Sequence, residues 1–482
     1  MITEILKMSA CSLVDALENR EVLQSEILKD LKIRHEKIDG VVNALPTTCF
    51  ERAFNAATKT ENMNKKQLSD TCRPLFGLPI PIKDSYCVAD VRTTYGSKAY
   101  ENYIPDFSDI TVNIIEKAGG IVFAKSNTPE FEAGASTFNE VFGFTRNPLN
   151  LSCSVGGSSG GAAAAVAAGL AHIAQGSDFA CSLRFPASFC GLVGLRPTPG
   201  LVPQGPSKMP FQSLSVTGPI ARSVADVGLA LDAFVGSDKK DPLSGQNSAP
   251  MYSYRGAGEN PKKINKFAFS MDLNVAVVST EVKEIVSKAI LKLEKSGCKA
   301  RCECPNLLES HFVFDTLRAF QFATLWSATL SEHRNKLKPE VVWNIERGLT
   351  LDIKNLINAE SLRSQLRLGM IDFLEEHNFL ITPTAPVTPP PYEQRYVKSI
   401  EGIENQSYID WLALGYAISI TGCPSVSIPC GFTPDGLPVG IQIVALPYHE
   451  VDLLNFAAWI EQVFALPSVL TLTDFHDQCE KN

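Results

Sequence analysis

The sequence predicts an α/β chain, and three observations carry that reading. Helix-like and strand-like stretches alternate: in PDFSDITVNIIEKAGGIVFAKSN a helix ends at Gly119-Gly120 and the strand IVFAKSN follows. A Gly/Ser loop, GGSSGG at 156–161, feeds directly into an alanine run with Val and Leu on every face, the composition of a buried helix. Near the C-terminus, PDG at 434–436 makes a turn between two strands, and a final helix covers the sheet. At 482 residues, with 45% hydrophobic and 20% charged residues, the chain is long enough to bury a large core.

Taken in order, the first sixty residues read as helical scaffold, since SLVDALENREVLQSEILKDLKIRHEKI places apolar residues at i, i+3 and i+4. A polar linker, TENMNKKQLSDTCR, leads to the first strand-like element, GLPIPIKDSYCV. After the alanine helix, in which His172 is placed, comes a second small-residue turn, GSDFACSLR at 176–184. GLVGLRPTPG and then SVTGPIARSVADVGLALDAF at 215–234 read as strand, turn and helix. Residues 236–264 are polar and rich in Gly, Pro and Ser, and read as a long surface loop. Residues 265–305 hold a strand, a helix ending at Gly297 and a second strand. From 309 to 377 the pattern is almost wholly helical, interspersed with Phe312, Phe314, Phe320, Phe322, Trp326 and Trp343. Strands and turns return from FLITPTAPVTPPP at 379–391 onward.

Composition excludes some functions. A formal net charge of −8 gives no support to nucleic-acid or anionic-membrane binding. No apolar run reaches the roughly 18 residues of a membrane helix, and the N-terminus lacks a secretory leader pattern, so the cytoplasm is the default location. Thirteen cysteines are an odd, scattered set. The cluster CKARCEC at 298–304 has no CxxC pair or nearby His, so no metal is expected; it reads as a strand holding Cys302 and Cys304 at alternating positions. Reduced thiols in a reducing compartment fit best.

The chemistry concentrates in 152–199. GGSSGG lacks the GxxxxGK[ST] spacing and the lysine of a nucleotide loop. What remains is a density of hydroxyls on backbone that a ligand can approach closely, as a serine nucleophile with a backbone oxyanion hole requires. Of seven histidines only His172 lies near this stretch, and no GxSxG elbow is present, although a triad drawn from distant residues stays open. Lys83 would ordinarily be an exposed strand-end lysine. Its apolar flanks Ile80 and Ile82, and Asp84 after it, make a context that buries the ammonium instead, and desolvation favours the neutral amine, a base.

Ser158, Ser159 and Ser182, with Lys83 in a GLPxxxKD context, resemble the serine-rich core of the amidase signature family. Lys125, Asn127 and Glu130 match its K-x-N-x-x-E element. The resemblance implies an amidase-signature fold, a large mixed β-sheet sandwiched between α-helices in one domain over 1–482. Its parts would be a scaffold (1–70), a catalytic core (71–235), a surface loop (236–264), a helical substrate-pocket region (265–378) and the C-terminal part of the core (379–482). It further implies a Ser–cis-Ser–Lys triad, with a cis peptide at Ser158. Lys83 takes a proton from Ser158, Ser158 takes one from Ser182, and Ser182 attacks the amide carbon. Backbone N–H groups of Phe179, Ala180, Cys181 and Ser182 would hold the oxyanion, and Ser159, Asp178 and Arg184 would support the loop. Glu130, Phe131 and the chain to Arg146-Asn147-Pro148 would line the substrate cleft, or simply pack the loop. The aromatics of 309–377 would shape the acyl or amine pocket, or pack helices.

The implied reaction needs neither cofactor nor metal, and the partner is a small-molecule amide, not nucleic acid; a homodimer stays open. The core looks closer to stand-alone enzymes of the 6-aminohexanoate-cyclic-dimer hydrolase type. The alternative is the glutaminase component of a tRNA-dependent amidotransferase. That protein typically reads GLKPTYGxxSRxG where this chain reads GLRPTPGLVPQGP. One departure stands out: Ala180-Cys181 replaces the family's Gly-Gly before the nucleophile. If that backbone needs positive φ, a side chain there costs about 1 kcal/mol or more. The hole would then be misformed and the chain a catalytically impaired homologue, or one in which Cys181 replaces the nucleophile.

Overall fold

The structure is a computed structural model and describes residues 3–62, 74–245 and 253–472. Most of the polar linker, and 246–252 of the expected surface loop, lie outside the described residues. Helices Ala10–Glu18, Gln24–Val42 and Phe50–Glu61 form the N-terminal scaffold. A small sheet joins β1 (Thr47–Thr48), β2 (Pro79–Lys83) and β3 (Ile121–Ser126), with β2 parallel to β3 and every residue of both buried.

The main sheet has eight strands: β4 (Ile173–Asp178), β5 (Val193–Arg196), β6 (Val216–Ala221), β7 (Lys266–Phe269), β8 (Lys299–Cys302), β9 (Leu380–Pro383), β10 (Ser425–Phe432) and β11 (Pro438–Val444). Their spatial order is β8-β7-β9-β11-β10-β5-β6-β4; β7 runs parallel to β8 and β9, and the remaining pairs are antiparallel. Helices flank this mixed sheet, as the sequence implied. The last strand, β4, would be an exposed edge, but β2 lies against it, and Lys83 N–H donates to Gln175 Oε1 at 2.9 Å. That junction of the two sheets sets the position of the site.

Between the sheets lies helix Gly160–Ala167, every residue of it buried. Alanine gives it helix propensity without bulk. Gly161 lets its first turn seat on β3: a Cβ there would stand 2.2 Å from Asn127 N, and Gly161 N–H donates to Asn127 O at 3.1 Å.

Four expectations need correction. His172 lies beyond the helix, buried, with Nε2 at 3.2 Å from Ile5 O, and burial pushes its imidazole down to about 3. The expected turn at 176–184 begins only after Asp178, because Gly176–Asp178 finish β4 against β6. Residues 236–264 are not all surface loop: Ser253 caps a helix, Tyr254–Glu259, whose Tyr254 and Ala257 are buried. Composition hid it because its stability comes from packing, not from propensity. Finally, β8 ends at Cys302, so Cys304 lies past the strand. The eleven described cysteines are all free, and no metal-binding cluster occurs among the described residues.

Candidate active site

Three chain segments meet where β2 and β4 end. The first delivers Lys83, whose side chain is fully buried. Its Nζ lies 2.7 Å from Ser158 Oγ, 2.8 Å from Ser177 Oγ and 2.9 Å from Glu132 Oε1. The second is the GGSSGG loop, in which the Gly157–Ser158 peptide is cis. Ser159 pins this loop to β4: its Oγ donates to Ser177 O at 3.1 Å and accepts from Ser177 N–H at 3.2 Å. The third is the loop from Phe179 to Leu183, joined to the second by Ser159 N–H donating to Ser182 O at 3.2 Å. Ser182 is 7% exposed, and its hydroxyl carries no hydrogen bond to a described side chain.

The third loop is held by its carbonyls. Ala180 O accepts from Arg184 Nη2 (2.7 Å) and Ser419 Oγ (2.9 Å), and Cys181 O accepts from Phe185 N–H (2.8 Å). Asp178 O accepts from Arg196 Nη1. Among the described residues no acceptor takes the N–H groups of Phe179, Ala180, Cys181 or Ser182. Held carbonyls and amides with no acceptor among the described residues leave donors that an oxyanion could use.

Arg184 organises the loop from a fully buried position. It binds Asp178 twice (both 3.0 Å), Gln442 Oε1 (2.7 Å), Ser419 Oγ (2.7 Å) and Gly415 O (3.2 Å). Burial alone would raise the Asp178 carboxyl, but the Arg184 guanidinium, helped by Arg196 and Leu183 N–H, holds it below the usual aspartate range. Burial drives Lys83 the other way, below the usual lysine range, against the attraction of Glu132 and Asp178.

The Ala180-Cys181 departure resolves in the backbone. Neither residue has positive φ, so neither bears the cost that makes glycine necessary. The room comes from across the loop, at Gly415, where a Cβ would stand 2.4 Å from Cys181 Cβ and 2.7 Å from Ala180 O. Gly415→Ala is therefore expected to displace the loop, destabilising the fold by about 1–3 kcal/mol and lowering kcat about a hundredfold. Cys181→Gly alone should leave kcat essentially unchanged, and added to Gly415→Ala it should recover part of the loss. Steady-state kinetics on the double-mutant cycle check this. Cys181 itself is 1% exposed and burial pushes its thiol strongly up, which works against the thiolate that a nucleophilic cysteine needs.

The expected cleft residues divide. Glu130 does not touch Lys83, Ser158 or Ser182: it accepts from Ser97 Oγ (2.5 Å) and Lys338 N–H (2.7 Å). Phe131 packs on Trp326, ring centroids 4.1 Å apart, beside Tyr95 and Tyr100. Arg146 stacks on Tyr392, and Asn147 donates to Phe189 O and Ser154 O, so that loop packs elsewhere. Of the helical aromatics, Phe314 lies between Tyr416 (4.6 Å) and Phe179 (5.4 Å), whereas Phe320 is exposed. The sequence reading missed Glu132, Ser177, Arg318 and Gly415. Arg318, buried in helix Ser310–His333, stands over the rings of Phe322 and Phe179 and donates to Tyr408 OH at 2.8 Å.

A family model described as Amidase matches residues 26–454. The A component of the glutamyl-tRNA(Gln) amidotransferase of Moorella thermoacetica is 32% identical over 486 residues, covering 95% of this chain and 97% of that protein. Acylamidase of Rhodococcus erythropolis is 32% identical over 463 residues, covering 95% of each. Among solved structures, 6-aminohexanoate cyclic dimer hydrolase superposes with a TM-score of 0.84 at 25% identity, covering 97% of this chain and 98% of that one. A bacterial aryl acylamidase superposes with a TM-score of 0.88 at 22% identity, over 97% and 98%, a likeness of fold. With the family model spanning most of its length, this chain belongs to the amidase signature family of amide C–N hydrolases.

Proposed function

We propose that the chain is an amidase that cleaves a small or medium-sized carboxamide through a Ser182 nucleophile, a Ser158 relay and a Lys83 base. The observation that carries this reading is the 2.7 Å contact between the buried Lys83 Nζ and Ser158 Oγ, beside a loop in which the N–H groups of 179–182 meet no acceptor among the described residues. An amide resists cleavage because its carbonyl is a poor electrophile and its amine leaves badly. Neutral Lys83 takes the Ser158 proton as Ser158 takes that of Ser182, and Ser182 Oγ bonds to the amide carbon. The oxyanion develops against the N–H groups of residues 179–182. As the C–N bond breaks, the proton returns through Ser158 to the departing amine. Water then attacks the acyl-enzyme by the same relay, releasing the carboxylic acid. No step asks for a metal or organic cofactor.

Hydroxylamine partitioning tests the acyl-enzyme. With an anilide substrate, added hydroxylamine should divert product to the hydroxamate without changing the rate of amine release when acylation limits. Carboxylic acid as the sole product at saturating hydroxylamine would count against a covalent intermediate. No described helix is long and apolar enough to cross a membrane. The eleven cysteines among the described residues, all free, support work in the reducing cytoplasm, as a monomer or homodimer. The similarity to the amidotransferase component supports a second reading, a glutaminase acting within a complex. Co-purification of a second protein, with glutamine hydrolysis dependent on it, would favour that reading over the stand-alone one.

A further inference from the structure

Glu132 touches the proposed base and belongs to none of the motifs that identify the site. It is presented by an unusual turn: Phe131 and Glu132 both have left-handed backbone, at φ 45° and 60°. Each such conformation costs a non-glycine residue on the order of 1–2 kcal/mol, so the surroundings must impose it. They do so from both ends of the turn. Glu130 is bound by Ser97 Oγ and Lys338 N–H, and Ala133 O accepts from the buried Lys338 Nζ.

The turn aims one carboxylate oxygen. Glu132 Oε1 accepts from Lys83 Nζ (2.9 Å), Ser177 Oγ (2.6 Å) and Ser85 Oγ (2.6 Å). Because Ser177 gives its proton to Glu132, its oxygen is left to accept from Lys83 at 2.8 Å. An ammonium has three N–H bonds, and here they meet Glu132, Ser177 and Ser158. A neutral amine keeps two.

We propose that Glu132, directly and through Ser177, is a positioning residue for Lys83: it retains two N–H bonds, so the proton lost is the one facing Ser158 and the lone pair left behind points at Ser158 Oγ. This rests on the reading of Lys83 as the base. The carboxylate also favours the ammonium and so sets how far pH must rise before the base is free. The other titratable groups facing Lys83 are Asp178, already paired with Arg184 and Arg196, and the Cys181 thiol. Asp84, next in the chain, is bound by Lys125 at 3.1 Å. Tyr86, whose phenol burial and Glu132 push strongly up, is neutral. Glu132 is the strongest opposing charge, and itself lies below the usual glutamate range because Lys83, Ser177 and Ser85 outweigh its burial.

The test compares the full chain with Glu132→Gln, which keeps the acceptor and the shape but removes the charge. In lysine-¹⁵N-labelled protein the Lys83 Nζ resonance, assigned by its loss in Lys83→Met, should titrate at least about one pH unit lower in Glu132→Gln. The acid limb of kcat/KM should move by the same amount, with KM unchanged and kcat lower at the plateau. An Nζ midpoint and acid limb that stay where they are in the native chain overturn the proposal. Glu132→Gly, which suits the left-handed backbone and so folds, must shift both in the same direction. Absence of amide hydrolysis at every pH would refute the amidase reading alone, because the Nζ titration reports the clamp without a substrate.

Discussion

Ser182→Ala is expected to lower kcat/KM by at least about four orders of magnitude, the scale on which serine hydrolases respond to loss of the nucleophile. The same change should leave thermal stability almost untouched, since no described side chain hydrogen-bonds the Ser182 hydroxyl and the loop is held through its carbonyls. That split between activity and stability separates a reacting group from a structural one. Cys181→Ala, beside it in the chain, should retain most activity because its thiol is buried, and burial pushes it up, away from the thiolate. Amine release and a melting curve for the two variants decide the matter. An active Ser182→Ala with an inactive Cys181→Ala would transfer the nucleophile to the thiol.

Arg184→Met is expected to cost about 3–5 kcal/mol, the range for breaking a buried charge pair from one side. The arginine is fully buried, and its loss would leave the equally buried Asp178 with Arg196, at 3.4 Å, as its one ion-pair partner among the described residues, beside the Leu183 N–H. It would also take one donor each from Ala180 O and Gly415 O, leaving both with Ser419 Oγ, so the residual folded protein should have a loosened 179–182 loop and should lose most of its kcat. Arg184→Lys should rescue neither property. A single ammonium cannot reproduce the planar fork that reaches Asp178, Gln442, Ala180 O, Gly415 O and Ser419 at once. Urea unfolding midpoints measure the cost. A loss below about 1 kcal/mol would mean that the network is relaxed and solvated.

Sequence carried the parts of this molecule that depend on local pattern. The all-buried alanine helix, the three helices between 310 and 377 and the turn at 434–436 follow from periodicity, propensity and turn chemistry. Lys83 and Ser158 were legible as a pair only through the motifs around them, since 75 residues separate them. What escaped depends on the path of the chain in space. Glu132 sits two residues past a motif glutamate, and only the left-handed turn at Phe131 and Glu132 directs it, in place of Glu130, at the lysine. The steric cost expected of Ala180-Cys181 is relieved at Gly415, whose missing side chain lies far away in sequence and against Cys181 in the fold. Helix Tyr254–Glu259 was hidden by a composition typical of loops, because its partners are helices Val224–Phe234 and Glu450–Phe464.

The claim that Lys83, Ser158 and the 179–182 loop form an activated serine centre is tested most directly by intact mass after incubation with a fluorophosphonate. One adduct on the native chain, mapped to Ser182 and missing from Ser182→Ala, is the result expected from this geometry. A native chain left unlabelled while a control serine amidase reacts fully would contradict it.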